Sequence, residues 1–117
     1  MLIQEVKEEL FKALEITKGK QVIVEGKRDK LALCLLGFKN IIELNTGIYE
    51  IVEKLNGKNV VILTDYDKEG IEIAKKLNKI LPPLGYKVDT KTRKKIGFLF
   101  AELKIRKIEE LRGVING

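Results

Sequence analysis

Residues 59–64, Asn-Val-Val-Ile-Leu-Thr, constrain the fold of this chain more than any other stretch. Val60 to Leu63 are four consecutive apolar residues, three of them β-branched, with no polar alternation. A strand of that kind suits burial on both faces, the situation inside a largely parallel sheet. The run ends in an acidic turn, Asp65-Tyr66-Asp67-Lys68-Glu69-Gly70. A helical pattern over residues 69–81 then puts Ile71, Ala74, Leu77 and Leu81 on one stripe, and Pro82-Pro83 closes it.

The same alternation runs through the rest of the chain. Residues 3–18 carry Val6, Leu10, Ala13 and Leu14 at helical spacing, and Gly19 fits the stop. Residues 21–26 read as a short buried strand ending at Glu25-Gly26. Asp29 can cap a helix over residues 30–37, with Gly37 at its end. Residues 41–44 read as a second strand, 45–47 as a loop, 48–57 as a helix and 86–90 as a fourth strand. Residues 92–104 and 108–115 read as one or two terminal helices. This is an α/β pattern with helices on both faces of a mostly parallel four-stranded sheet, and its 117 residues suit one domain.

In such sheets ligands bind beyond the carboxyl ends of the strands, where strand order reverses. Glu25 ends the first strand, and Asp65 and Asp67 follow the third. They meet if strands one and three are neighbours with strand two outside them, the order 2-1-3. Carboxylates that converge need a cation, or one of them takes up a proton. The chain has no histidine and a single cysteine, so metal chemistry here falls to carboxylates, which favour magnesium or manganese. The competing local reading is an Asx-turn at Asp65 and a helix cap from Asp67 or Thr64. A calcium EF-hand loop starting at Asp65 fails, because its twelfth position is Lys76 and the preceding segment is strand-like. No P-loop pattern occurs. Cys34, within an apolar run, reads as a buried small hydrophobe.

Val-Ile-Val-Glu-Gly-Lys-Arg-Asp at the first strand end and Val-Val-Ile-Leu-Thr-Asp-Tyr-Asp-Lys-Glu-Gly about forty residues later form a paired signature. Here the sequence resembles the Toprim domain family. That family includes the metal-binding domain of type IA and type II topoisomerases, bacterial-type primases, OLD-family nucleases, RecR and the ribonuclease that matures 5S ribosomal RNA. Glu25-Gly26, Asp65-x-Asp67 and the trailing Gly70 match its marks. The Glu-Gly-x-x-Asp form, with Asp29, is nearest to the primases and the 5S-maturing ribonuclease.

The resemblance implies a three-layer α/β/α Rossmann-like Toprim fold filling residues 1–117. Its core would span about 20–90, with an N-terminal helix at 3–18 and a C-terminal helical segment at 92–115. It implies that Asp65 and Asp67 hold magnesium or manganese. Glu25 would share the metal or act as general acid or base in phosphoryl transfer. Asp29 would be an outer acid or a helix cap, Gly26 would let a phosphate approach closely, and Gly70 would support the turn. Lys27 and Arg28 would sit at the mouth of the site, where they either meet phosphates or remain solvated. The second domain that Toprim enzymes carry is not legible here, so a topoisomerase tyrosine nucleophile is not expected. Tyr49, Tyr66 and Tyr86 read as core or surface residues.

The formal charge is +6 and the isoelectric point about 9.4, which suits nucleic acid as partner. Lys91, Arg93 and Lys94, with Lys95 and the later Lys104, Arg106 and Lys107, read either as a phosphate-tracking patch or as the solvated face of an amphipathic helix. Phe98, Leu99 and Phe100 read as core or as a dimer interface. No apolar run approaches the ~20 residues of a membrane span, and no signal peptide is legible, so a cytoplasmic setting is expected. Two functions stay open: a magnesium-dependent nuclease or phosphotransferase, with RNA processing as one setting, and a non-catalytic nucleic-acid-binding module of a larger repair or processing complex.

Overall fold

A computed structural model of the chain describes residues 1–45 and 47–116. Thr46, inside the loop read over residues 45–47, and Gly117, the last residue of the expected domain, lie outside the described residues.

The described residues form one four-stranded sheet in the order β2-β1-β3-β4, with β1 at Val22–Val24, β2 at Ile41–Glu43, β3 at Asn59–Ile62 and β4 at Lys87–Val88. All three pairings are parallel, and Val22 is in register with both Ile41 and Val61. The expected order 2-1-3 therefore holds, and β4 extends the sheet beyond β3. The helices are α1 (Ile3–Thr17), α2 (Lys27–Leu35), α3 (Ile51–Lys54), α4 (Lys68–Ile80), α5 (Thr90–Glu102) and α6 (Leu111–Asn116). Short 3₁₀ turns occupy Pro82–Leu84 and Ile108–Glu110.

Strand alternation divides the core into two layers. Val22, Val24, Val61 and Leu63 point to one side, where they meet Leu10 and Leu14 of α1, Leu33 of α2 and Ile96 and Phe100 of α5. Ile23, Ile42, Val60 and Ile62 point to the other, against Ile51 of α3 and Ala74 and Leu77 of α4. Both faces of β1 and β3 are thus buried, as the uninterrupted apolar runs require.

Several boundaries move. The helix expected over residues 48–57 contracts to the single turn Ile51–Lys54. α2 starts at Lys27, two residues before the expected cap; Gly26 holds the N-cap position and Asp29 lies within the first turn. Because α2 buries Ala32 and Leu33, Cys34 faces outward and is exposed, correcting its reading as a core residue. Leu99 and Phe100 are core, whereas Phe98 is 58% exposed. Ile71 is 41% exposed although its stripe-mates Ala74 and Leu77 are buried.

Candidate active site

The carboxyl ends of β1 and β3 lie side by side, and their acidic residues converge there. Glu25, Asp29 and Asp65 each offer a carboxylate oxygen, and the three oxygens lie within 4.8 Å of one another. Each is held by a backbone amide. The Asp65 N–H donates to Glu25 Oε2 at 2.8 Å, tying the two strand ends together. The Gly26 N–H donates to Asp29 Oδ2 at 3.2 Å, so Asp29 reaches back from the first turn of α2 to its N-cap residue. The Ile108 N–H donates to Asp65 Oδ1 at 2.8 Å, bringing the C-terminal segment onto the site. The Tyr66 amide donates to the Arg106 carbonyl at 2.6 Å and fastens the same segment.

Three carboxylates this close raise one another's proton affinity. Burial pushes Glu25 up to about 7 against the bond from the Asp65 amide, and the charges of Asp65 and Asp29 add to the rise. Burial also pushes Asp29 up to about 6, with the charge of Asp65 adding and the Gly26 amide opposing. Asp65 rises as well, through burial and the charge of Asp67, opposed by the Ile108 amide and the charge of Lys107. The donor set is all oxygen and negatively charged, the chemistry that suits a hard divalent cation. A Cβ built on Gly26 meets nothing within 4 Å, and its backbone is extended, a conformation open to any residue. Neither packing nor backbone geometry calls for glycine there, and the space beside the carboxylates is open to a ligand. The residues present therefore fit a magnesium or manganese ion.

Asp67, which the resemblance gave as a metal ligand beside Asp65, stands at the start of α4. It caps α4, its Oδ1 accepting from the Gly70 N–H at 2.8 Å, and its charge acts on Asp65 from outside the three-carboxylate cluster. The local cap reading holds for this residue. Gly70 is required by close approach: a Cβ there would lie 2.0 Å from the Asp65 carbonyl oxygen. The Thr64 hydroxyl donates to the Gly70 carbonyl at 2.7 Å, closing the turn that presents Asp65.

Arg93 turns inward from the basic run. Its Nη1 donates to the carbonyls of Ile62 (3.2 Å) and Thr64 (2.7 Å), and its Nη2 to that of Asp65 (3.1 Å). The strand ladder ends here, and the guanidinium satisfies carbonyls that no strand reaches. Arg93 also lies 4.4 Å from the Tyr66 ring centroid, and the Tyr66 hydroxyl donates to the Arg93 carbonyl at 2.7 Å. A Cβ at Gly97 would approach that ring to 2.6 Å, so the glycine makes room for it. Burial keeps the Tyr66 phenol neutral by pushing its pKa up. Lys27 and Arg28 are exposed at the start of α2, directly after Gly26, while Lys91 and Lys94 are exposed on the first turns of α5. The charge of Lys107 reaches both Asp29 and Asp65, which no spacing in the sequence revealed.

A Toprim domain model matches residues 19–92, which contain all four acids. The chain belongs to the Toprim domain family. It is also similar along most of its length to UPF0292 proteins. It is 39% identical to one from Methanocaldococcus jannaschii, over 92% of this chain and 88% of that protein. It is 42% identical to one from Pyrococcus abyssi, over 77% of this chain and 70% of that protein. A solved structure of a protein from Aquifex aeolicus superposes with a TM-score of 0.70 at 33% identity, covering 94% of this chain and 98% of that one. Membership supports a metal-dependent, nucleic-acid-related role. Among the described residues no helix is long and apolar enough to cross a membrane.

Proposed function

We propose that the chain is a divalent-metal-dependent phosphodiesterase acting on nucleic acid, with RNA processing as its setting. The observation that carries this reading is the convergence of Glu25, Asp29 and Asp65 within 4.8 Å at the ends of neighbouring strands. Asp65 and Asp29 would hold magnesium or manganese, with Asp67 adding charge from the cap of α4. The bound ion would polarise the phosphate and stabilise the leaving oxygen. Glu25, whose pKa burial raises to about 7 in the metal-free site, would take a proton from the attacking water or return one to the leaving oxygen. Lys27 and Arg28 would meet the phosphates that flank the reacting one, and Lys91 and Lys94 would extend that track along α5. Arg93 would act by positioning, holding the Thr64 and Asp65 carbonyls and so the direction of the Asp65 side chain. The Glu-Gly-x-x-Asp form points, within the family, toward the 5S-maturing ribonuclease and the primases.

The test is cleavage of end-labelled single- and double-stranded RNA and DNA with magnesium or manganese. Wild type is expected to cut at least one of these and to stop in EDTA. Glu25→Gln and Asp65→Asn should lower the rate by ~100-fold or more. Cutting that survives Asp65→Asn would place the chemistry elsewhere. Metal-dependent binding by the wild type without any cutting would favour the binding-module reading.

A further inference from the structure

β4 is only two residues long, and past Val88 no strand separates the α4 layer from the α5 layer. The two helices face each other across the carboxyl end of β3 and leave a cleft of about 480 Å³. This is within the range of small-molecule sites, which are mainly apolar with a few placed polar groups. The floor is Ile62 and Ala74, and the partly exposed Ile71 forms a wall. Gly97 narrows nothing, since it carries no side chain. Asn78 supplies an amide with donors and an acceptor, and Lys75 and Lys94 also line the cleft, the Lys75 ammonium lying 3.6 Å from Glu72 Oε1. Tyr66 and Arg93 line the cleft; Tyr66 follows Asp65 in the chain and Arg93 donates to the Asp65 carbonyl, so the cleft begins one residue from the carboxylate cluster. The acid at the cleft, Asp89, is engaged by Thr92 and Lys20.

We infer that the cleft between α4 and α5 is a nucleobase subsite, receiving one unpaired base of a strand whose phosphate lies at Glu25, Asp29 and Asp65. An apolar slot with one amide at its side suits a flat heteroaromatic ring, and the exposed Lys94 suits the phosphates attached to it. A base seated there has left its stack, so the substrate is single-stranded or frayed at that point. One face of Tyr66 is covered by Arg93, so the ring is held by aliphatic contacts with Ile71 and Ala74 more than by stacking. The phosphate placement rests on the function proposed above; the base subsite itself does not.

The test is a ¹⁵N-resolved NMR titration of the full chain with adenosine, cytidine, guanosine and uridine 5′-monophosphates, and with ribose 5-phosphate as a base-free control. At least one nucleotide is expected to shift Ile71, Ala74, Asn78 and Gly97, while ribose 5-phosphate leaves them unmoved. Ile71→Gln removes an exposed apolar wall, and Asn78→Leu removes the amide. Either should weaken nucleotide binding by ~10-fold and leave manganese broadening at the carboxylates as in wild type. Two results would overturn the inference: equal shifts from the base-free phosphate, or nucleotide shifts confined to Gly26, Asp65 and Ile108. Nucleotide seated in the cleft with no manganese effect at the carboxylates would keep the subsite and sink the metal site instead.

Discussion

Replacing Glu25 with Gln tests the electrostatics of the site apart from any activity. Gln retains an oxygen to accept the Asp65 amide, so the tie between β1 and β3 survives. What is lost is a carboxyl whose folded pKa is raised from 4.5 to about 7. A raised acid binds its proton more tightly in the folded state, so its favourable contribution is complete below about pH 4.5 and is lost as the pH rises through about 7. The full displacement corresponds to ~3 kcal/mol. The group is partly solvated, so screening reduces the figure to ~1–2 kcal/mol. In urea unfolding with EDTA, wild type should therefore lose stability between pH 4.5 and pH 8. Glu25→Gln should lose less and be the more stable protein at pH 8 by ~1–2 kcal/mol. The two should converge near pH 4.5. Saturating magnesium should reverse the order at pH 8, because a ligand that binds only the folded state stabilises it. A Glu25→Gln variant less stable than wild type at pH 8 in EDTA would refute the reasoning, as would a wild type whose stability is flat across that range.

Other changes follow from the same geometry. Gly70→Ala would force a Cβ against the Asp65 backbone and should cost ~3 kcal/mol or more, seen in urea unfolding, with loss of metal binding. Arg93→Met keeps an unbranched apolar stem but leaves the carbonyls of Ile62, Thr64 and Asp65 without their donor; a loss of ~2–4 kcal/mol is expected in the same assay. Lys27→Ala with Arg28→Ala should weaken binding of a non-cleavable oligonucleotide across sequences and reduce the slope of log affinity against log salt by up to ~2, measured by fluorescence anisotropy. Cys34, exposed on α2, should react with a thiol reagent in the native protein as fast as in urea to within ~10-fold, whereas a buried thiol would wait for unfolding.

Much of the architecture was legible because the apolar runs state how many faces each strand buries. Val60 to Leu63 suited a strand covered on both faces, and the placement of Glu25 beside Asp65 followed once strands one and three were made neighbours. What failed to read was the phase of α2. Its run Leu31 to Leu36 is apolar nearly all round, so periodicity could not tell that Ala32 and Leu33 face inward and Leu31, Cys34 and Leu35 outward. In the sequence Asp29 reads as an outer acid or a helix cap; it lies in the first turn of α2 and its carboxylate reaches the acidic cluster. In α5 a cue was present: Arg93 shares a face with Ile96, Gly97 and Phe100 at helical spacing, which is the buried face. The density of surrounding lysines masked it. The charge of Lys107 and the bond from the Ile108 amide depend on where a distant segment docks, and no local pattern encodes that.

The central claim is that Glu25, Asp29 and Asp65 form one divalent-cation site. Paramagnetic broadening of amide resonances by substoichiometric manganese tests it most directly, in wild type and in Asp65→Asn. The account predicts broadening centred on Gly26, Asp65, Tyr66 and Ile108, reversed by excess magnesium and lost in the variant. Broadening spread over the exposed acids of α1 and α4, and equal in the two proteins, would contradict it.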